Sequence, residues 1–380
     1  MRILQVLNTF GAGGAEQYVI QLSSFMVEQG DRVVVVGCEP FTIKDKLSPE
    51  VRVVVMELHP GDQKSIFQYL MKLVPNIFAI YKLIKQEKIE LVHTHLAASA
   101  LPAWIAAKLA GVPVIHSKMH TQIIASSFER FLFLSPLPKW LVSRFLAFSG
   151  YIVTEMRKFW RVDDEQIIHS SIGVDADIYD PMLVSRTLAR TMFKLPDDMM
   201  IVGVVARLYP EKNVDLAITG FAAMANKNAI LLIGGDGPQR HELEQIVHKL
   251  GIHERVYFLG RQADPRPVYA AADVIMQTTR GPNMGMIALE ALAMGVPLLI
   301  AARDENEVEM AKDTLGGYDI GWVADASSEA IGRALDNLVI EQSSYRNEMA
   351  RDYILSRHDK KSVLARLRIQ YQELIVASEV

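Results

Sequence analysis

The chain is poor in cysteine, has no long apolar run and carries no excess of positive charge. Cys38 is the only cysteine in 380 residues, so an intrachain disulfide is impossible and a cysteine-based zinc site is excluded. A small buried hydrophobe is the plain reading of Cys38. No apolar stretch approaches the roughly 20 residues that span a bilayer. MRILQVLNTFG starts as strand-like sequence, where a signal peptide has a basic and then an apolar region. The chain is therefore expected in the cytoplasm, at most peripheral on the inner face of the cell membrane. Lys and Arg number 40 against 44 Asp and Glu, a net charge of −4, so the electrostatic footprint of a nucleic-acid binder is missing and nucleic acid is not expected as a partner. Low-complexity and collagenous stretches are absent too. Half of the residues are hydrophobic and 22% are charged, the composition of a packed globular protein.

A chain of this length exceeds what one core usually fills, since single cores stop growing near ~250 to 300 residues. Short β-branched runs alternate with helical patterns throughout: ILQVLN (3–8), RVVVVG (32–37), VRVVVMEL (51–58), IELVHTHL (89–96) and VPVIHS (112–117). The second half repeats the arrangement with MIVGVVARL (200–208), AILLIGG (229–235), RVYFLG (255–260), DVIMQT (273–278) and PLLIA (297–301). Continuous apolar strands separated by helices predict α/β domains whose doubly wound parallel sheets are covered on both faces. SSIGVDADIYDP (170–181) is dense in Gly, Asp and Pro and reads as a linker. The expected division is 1–175 and 176–380, and the last helical stretch, about 359–378, either closes the second domain or crosses back to the first.

Ligands of open parallel sheets bind beyond the carboxyl ends of the strands, which singles out four loops. NTFGAGGAEQY (8–18) follows the first strand, and Gly11, Gly13 and Gly14 let backbone approach a ligand just before a helix N-terminus. The dinucleotide fingerprint fails there because Glu16 stands at its third glycine position, and a tight turn without ligand is the alternative. In VARLYPEKN (205–213), Arg207 and Lys212 can turn toward one anion, a fork and a point charge suited to a diphosphate; alone, such a pair is more often solvated surface. GGDGPQR (234–240) reads as a structural turn in which Asp236 caps a helix and Pro238 occupies its first turn. The fourth loop, TTRGPNMGMIALEALAMGVP, leads into a helix over 284–294 whose one carboxylate, Glu290, needs a partner or exposure. Sugar hydroxyls suit it, with a structural hydrogen bond as the alternative.

In this order and spacing the segments resemble glycosyltransferase family 4, the retaining, nucleotide-sugar-dependent enzymes of the GT-B fold. The marks are the GG-A-E turn at Gly13 to Glu16, the PVIHSKMH segment, the GVD of the linker, ARLYPEK, GGDGP and the E-A-L-A-x-G-x-P block at 290–297. The resemblance covers nearly the whole chain. It implies two Rossmann-like domains facing each other across a cleft, the first binding the acceptor and the second the nucleotide sugar. It also implies that Arg207 and Lys212 hold the donor diphosphate, with Gly13, Gly14 and the amides around Met284, Gly285 and Met286 helping. Glu290 would then hold the ribose, Arg261 would lie beside the base, and His120 would face the transferred sugar. The donor would be a UDP-sugar or a GDP-sugar, no metal or other cofactor would be needed, and the acceptor would be a glycan or a lipid-linked glycan.

Two residues depart from the family pattern. Family members commonly have a glutamate eight residues before Glu290, where this chain has Pro282; a proline offers neither charge nor N–H, so that contact is replaced by Asn283, Arg280, backbone or nothing. Ile172 replaces the asparagine of the usual Asn-Gly-Val-Asp linker. His93 and His95 imitate a metal pair on one strand face, and Asp175 with Asp177 imitates the metal-binding D-x-D of another fold; packed histidines and a linker turn are the plainer readings. The basic, aromatic-rich segments 65–88 and 126–146 suit an anionic membrane surface or a lipid-linked glycan as well as ordinary core-facing helices. A noncatalytic relative that binds nucleotide sugar, and an isomerase or hydrolase acting on the donor alone, are the rival readings.

Overall fold

Runs of Val, Ile and Leu without polar alternation need cover on both faces, and the computed structural model places them in two parallel sheets. It describes residues 1–9, 14–38, 46–58, 66–95, 100–118, 137–280, 285–338 and 343–378. By internal contacts the chain divides into Met1–Ile172 with Lys361–Val380, and Gly173–Lys360.

The first unit holds β1 (Arg2–Thr9), β2 (Arg32–Cys38), β3 (Arg52–Val55), β4 (Leu91–His95), β5 (Val114–Lys118), β6 (Arg144–Ala147) and β7 (Ile167–His169). They lie in the order β3-β2-β1-β4-β5-β6-β7, every pairing parallel. Val33 to Val36 of β2 are fully buried. VRVVVMEL pairs only through Arg52–Val55 and stays partly exposed, as befits a short edge strand. The strands β6 and β7 escaped sequence reading because three or four residues are too few to display a period.

The second unit holds β8 (Met200–Val205), β9 (Ala229–Gly234), β10 (Val256–Gly260), β11 (Val274–Gln277), β12 (Leu298–Ala302) and β13 (Gly321–Asp325), in the order β10-β9-β8-β11-β12-β13, again all parallel. Of these, only β13 lacks a counterpart in the sequence reading.

The last helix, Lys360–Ser378, crosses back to the first unit. Leu364, Leu367 and Tyr371 enter that unit's core. The Arg368 guanidinium grips Asp31 at 2.7 and 3.1 Å, and Asp31 also receives the Met1 amino group at 2.7 Å. In the linker, Val174 runs parallel to Asp359, with Val174 N–H donating to the His358 carbonyl at 2.8 Å and Lys360 N–H to the Val174 carbonyl at 2.9 Å. Asp175 accepts from the Lys360 ammonium and from Ile178 N–H, so this half of the D-x-D serves the turn.

One buried cation organises the start of the second sheet. Arg190, 1% exposed, donates to the carbonyls of Pro196, Asp197, Met199 and Ala271 and to the Asp273 carboxylate at 2.9 Å. Asp273 in turn accepts Ile201 N–H at the start of β8. Arg190→Met is expected to lower the free energy of unfolding by about 2 kcal/mol or more, because it removes a buried guanidinium that bonds four carbonyls and Asp273, although Asp273 keeps Arg186 and Ile201 N–H. A urea titration of the variant checks this.

Candidate active site

In the second sheet β8 and β11 are neighbours, yet the chain continues from β8 to β9 on the other side. The order reverses between β8 and β11, and the crevice at their carboxyl ends is where open α/β sheets bind ligands. The loops after these two strands carry Lys212 and Gly285.

The loop after β8 is held by backbone. Ala206 N–H donates to the Gly234 carbonyl at 3.1 Å, Leu208 N–H to the Asp236 carbonyl at 2.9 Å, and Gln239 N–H to the Leu208 carbonyl at 3.1 Å. The approach is so close that a Cβ on Gly235 would stand 1.7 Å from the Ala206 oxygen, and one on Gly237 would stand 2.5 Å from the Leu208 oxygen. The GGDGP turn is thus a cradle for the ARL backbone. Its helix is Arg240–Lys249 with Gln239 at the N-cap position, so the expected cap by Asp236 does not form; Asp236 instead accepts Gly237 N–H at 2.8 Å. On the other side, Arg280 N–H donates to the Glu211 carbonyl at 2.8 Å, the Arg280 guanidinium grips the Asn213 side-chain oxygen at 2.9 and 3.1 Å, and the Thr278 hydroxyl donates to the Lys212 carbonyl at 3.1 Å. Arg280 is thereby committed to the loop.

The result is a cavity of about 40 Å³ lined by Val204, Ala206, Lys212, Thr278, Gly285 and Ile287. Burial, then the neighbouring Arg207 cation, lowers the pKa of the Lys212 ammonium; a negative charge beside it would act in the opposite direction. Arg207 is largely exposed, lies 3.6 Å from Glu211 and stacks over the Tyr209 ring at 5.0 Å. An exposed pair of this kind is weak, so the guanidinium is free to exchange its carboxylate for a phosphate. Gly285 and Met286 form the first turn of the helix Gly285–Ala293, at its positive dipole end.

Glu290 sits farther along this helix. It accepts the Tyr269 hydroxyl at 2.7 Å and a second hydrogen bond from Tyr179. Burial raises its carboxyl pKa above the ordinary value, against the pull of the two tyrosines. Sequence reasoning missed Tyr269, Tyr179, Asn213 and Thr278, because no spacing joins them to Glu290 or Lys212. Arg261 is exposed at the end of the edge strand β10 and does not line the cavity.

In the first sheet the order reverses between β1 and β4. Gly14 opens the helix Gly14–Glu28 directly after that point, while Gly13, His120, Asn283 and Met284 lie outside the described residues. His93 commits both ring nitrogens, one to the Tyr371 hydroxyl and the other to Ser117 Oγ at 2.5 Å. His95 donates to Gln5 at 2.6 Å, and His116 pairs with Thr94 at 2.9 Å. Burial lowers all three, His95 and His116 to about 3, so this is a layer of neutral packed imidazoles. Among the described residues no group of three or more His, Cys, Asp or Glu could hold a metal ion.

Residues 12–178 match the family described as Glycosyltransferase Family 4, and residues 185–353 match Glycosyl transferases group 1. The chain belongs to glycosyltransferase family 4. It is 27% identical to D-inositol 3-phosphate glycosyltransferase of Mycolicibacterium smegmatis over 86% of this chain and 80% of the relative. It is also 25% identical to the UDP-Gal:alpha-D-GlcNAc-diphosphoundecaprenol alpha-1,3-galactosyltransferase of Escherichia coli over 77% and 79%. Its fold is GT-B: it is similar to a Rickettsia africae glycosyltransferase with a TM-score of 0.83 at 16% identity, covering 98% of each chain. The UDP complex of Anabaena HepE aligns at 0.82 and 19% identity, covering 98% of this chain and all of that one.

In this family 4 chain Glu290 works against stability. A raised carboxyl pKa means that the folded state holds the proton more tightly than the unfolded one, so Glu290 favours folding below the ordinary carboxyl pKa and opposes it as pH rises through the raised value. Glu290→Gln is expected to unfold at a higher urea concentration than the parent at neutral pH, with the advantage vanishing in acid. Urea midpoints across this pH range measure it.

Proposed function

We propose that the chain transfers a sugar from a nucleoside-diphosphate donor, a UDP-sugar first and a GDP-sugar next, to a hydroxyl of a glycan or lipid-linked acceptor in envelope polysaccharide synthesis, with retention at the anomeric carbon. One observation carries this reading: Lys212 and the N-terminus of the helix Gly285–Ala293 converge on one cavity at the point where the strand order reverses. The Escherichia coli relative, named for UDP-Gal and a diphosphoundecaprenol acceptor, supports the choice of donor and acceptor.

Charge builds on the departing diphosphate. Lys212, Arg207 swung from Glu211, and the amides of Gly285 and Met286 neutralise it; such preorganised donors are worth roughly 100- to 1,000-fold each. With that charge met by protein groups, the reaction needs no metal. A departing phosphate oxygen takes the proton of the acceptor hydroxyl, so no protein nucleophile is required. Glu290, aimed by Tyr269 and Tyr179, accepts the ribose hydroxyls, and Arg261 lies by the base. By the family resemblance, Gly13 and Gly14 serve the diphosphate and His120 the transferred sugar. Asn283 takes the hydroxyl that a glutamate at position 282 would hold.

Purified chain supplied with UDP-sugars and a lipid-linked acceptor is expected to make product of unchanged anomeric configuration, read by NMR. Donor turnover without acceptor supports a hydrolase or isomerase, and binding without turnover a noncatalytic relative. Charge-assisted hydrogen bonds contribute roughly 1.5 to 3 kcal/mol, so Arg207→Ala and Lys212→Ala should each weaken UDP binding by about tenfold or more. Unchanged calorimetric affinity in both removes the diphosphate assignment. Asn283→Ala is expected to cost about 1 to 3 kcal/mol in kcat/KM with UDP affinity nearly unchanged; full activity would leave Pro282 as a turn residue only.

A further inference from the structure

The linker is fastened twice to the helix Gly285–Ala293 that carries Glu290. The first fastening is the Tyr179 hydroxyl, which donates to the Glu290 carboxylate. The second is Arg351, on the helix Ser343–Arg357. Its guanidinium donates to the Ala293 carbonyl at 2.8 Å, at the end of the Glu290 helix, and to the Tyr179 carbonyl at 2.9 Å. It also reaches the Ala176 carbonyl at 3.3 Å and the Asp180 carboxylate at 2.9 Å. Positions 290 and 293 are about one helical turn apart, so the linker is held at two successive heights of the helix.

The backbone that presents Tyr179 is tied down as well. Tyr179 N–H donates to the Asp175 carbonyl at 2.9 Å, and the Ile178 carbonyl accepts from Arg266 at 3.2 Å. Asp175 is in turn held by Lys360. The other donor to Glu290, Tyr269, is fully buried, and its ring centroid lies 6.3 Å from that of Tyr179. A glutamate carboxylate turns readily about its last bond, a broad and roughly two-fold torsion, and its two oxygens accept about four hydrogen bonds. One hydroxyl leaves that rotation open. Two hydroxyls from separately fixed rings close it and aim the remaining lone pairs.

We infer that the linker is part of the donor site: Tyr179, held by Arg351, is a positioning residue that fixes the rotation of the Glu290 carboxylate and so sets the preference for ribose over 2′-deoxyribose. The inference rests on the reading of Glu290 as the ribose contact. An arginine that only completed the helix end would need the Ala293 carbonyl alone. Arg351 instead gives three further contacts to the segment that carries Tyr179, and a tyrosine that only packed there would have no use for its hydroxyl.

Calorimetry on the full chain compares UDP with 2′-deoxy-UDP, and GDP with 2′-deoxy-GDP. The parent is expected to favour the ribonucleotide by about tenfold or more, the effect of one charge-assisted hydrogen bond. Tyr179→Phe keeps the ring and removes one oxygen. Its preference is expected to fall to about threefold or less, through weaker ribonucleotide binding at nearly unchanged affinity for the deoxy analogue. Arg351→Lys keeps the charge but not the planar fork, and is expected to lower the preference too. Equal weakening of both nucleotides, the mark of a role in folding alone, overturns the proposal, as does unchanged selectivity in either variant. In a Glu290→Gln background Tyr179→Phe is expected to change nothing further, since it acts through the carboxylate; additive losses overturn the proposal. A parent that binds neither ribonucleotide, or binds without preference, removes the ribose reading and this inference with it. A selective parent with an equally selective Tyr179→Phe removes this inference alone.

Discussion

The loop that carries Arg207 and Lys212 is placed by backbone packed against backbone: there is no room for a Cβ between Gly235 and the Ala206 oxygen, or between Gly237 and the Leu208 oxygen. Main-chain hydrogen bonds from Ala206, Leu208 and Gln239 close the same contact. The loop after β8 is therefore as rigid as the turn after β9 that supports it, and Lys212 reaches the crevice from a fixed base. A cation on a free loop would lose conformational entropy on meeting a phosphate. Here much of that cost is met on folding.

The crevice also keeps groups that stability alone would not favour. Glu290 is held half-buried, with two tyrosine hydroxyls directed at it and its proton affinity raised. Lys212 is partly desolvated beside a like charge. Both strains point the same way, toward a ligand that brings hydroxyls to the carboxylate and negative charge to the ammonium. By contrast, the buried histidines of the first unit are held neutral by burial, and His93 is committed at both nitrogens.

The relatives agree with this chain in fold and family while differing in what their names say they act on. What they share with this chain is the scaffold of parallel sheets, and a scaffold alone does not fix a substrate. Arg280 is tied to Asn213 and Glu211, so it is committed to holding the loop after β8.

Composition and periodicity alone determined that the chain is α/β with two parallel sheets, because long apolar strands flanked by helices have no other way to bury both faces. They also located the loops after β8, β9 and β11, since glycines and paired cations after a strand mark the carboxyl edge. Only the tertiary structure decided which partners those loops acquire. Tyr179 and Tyr269 meet Glu290 from segments far apart in the chain, and no local pattern records such a meeting. The glycines of GGDGP read as an ordinary helix-opening turn, with Asp236 as its cap, until the Ala206 backbone was seen against them. The last helix had apolar positions that fit either domain; Asp31, gripped by Arg368 across more than three hundred residues, settled it, because an ion pair depends on distance in space and leaves no period in sequence.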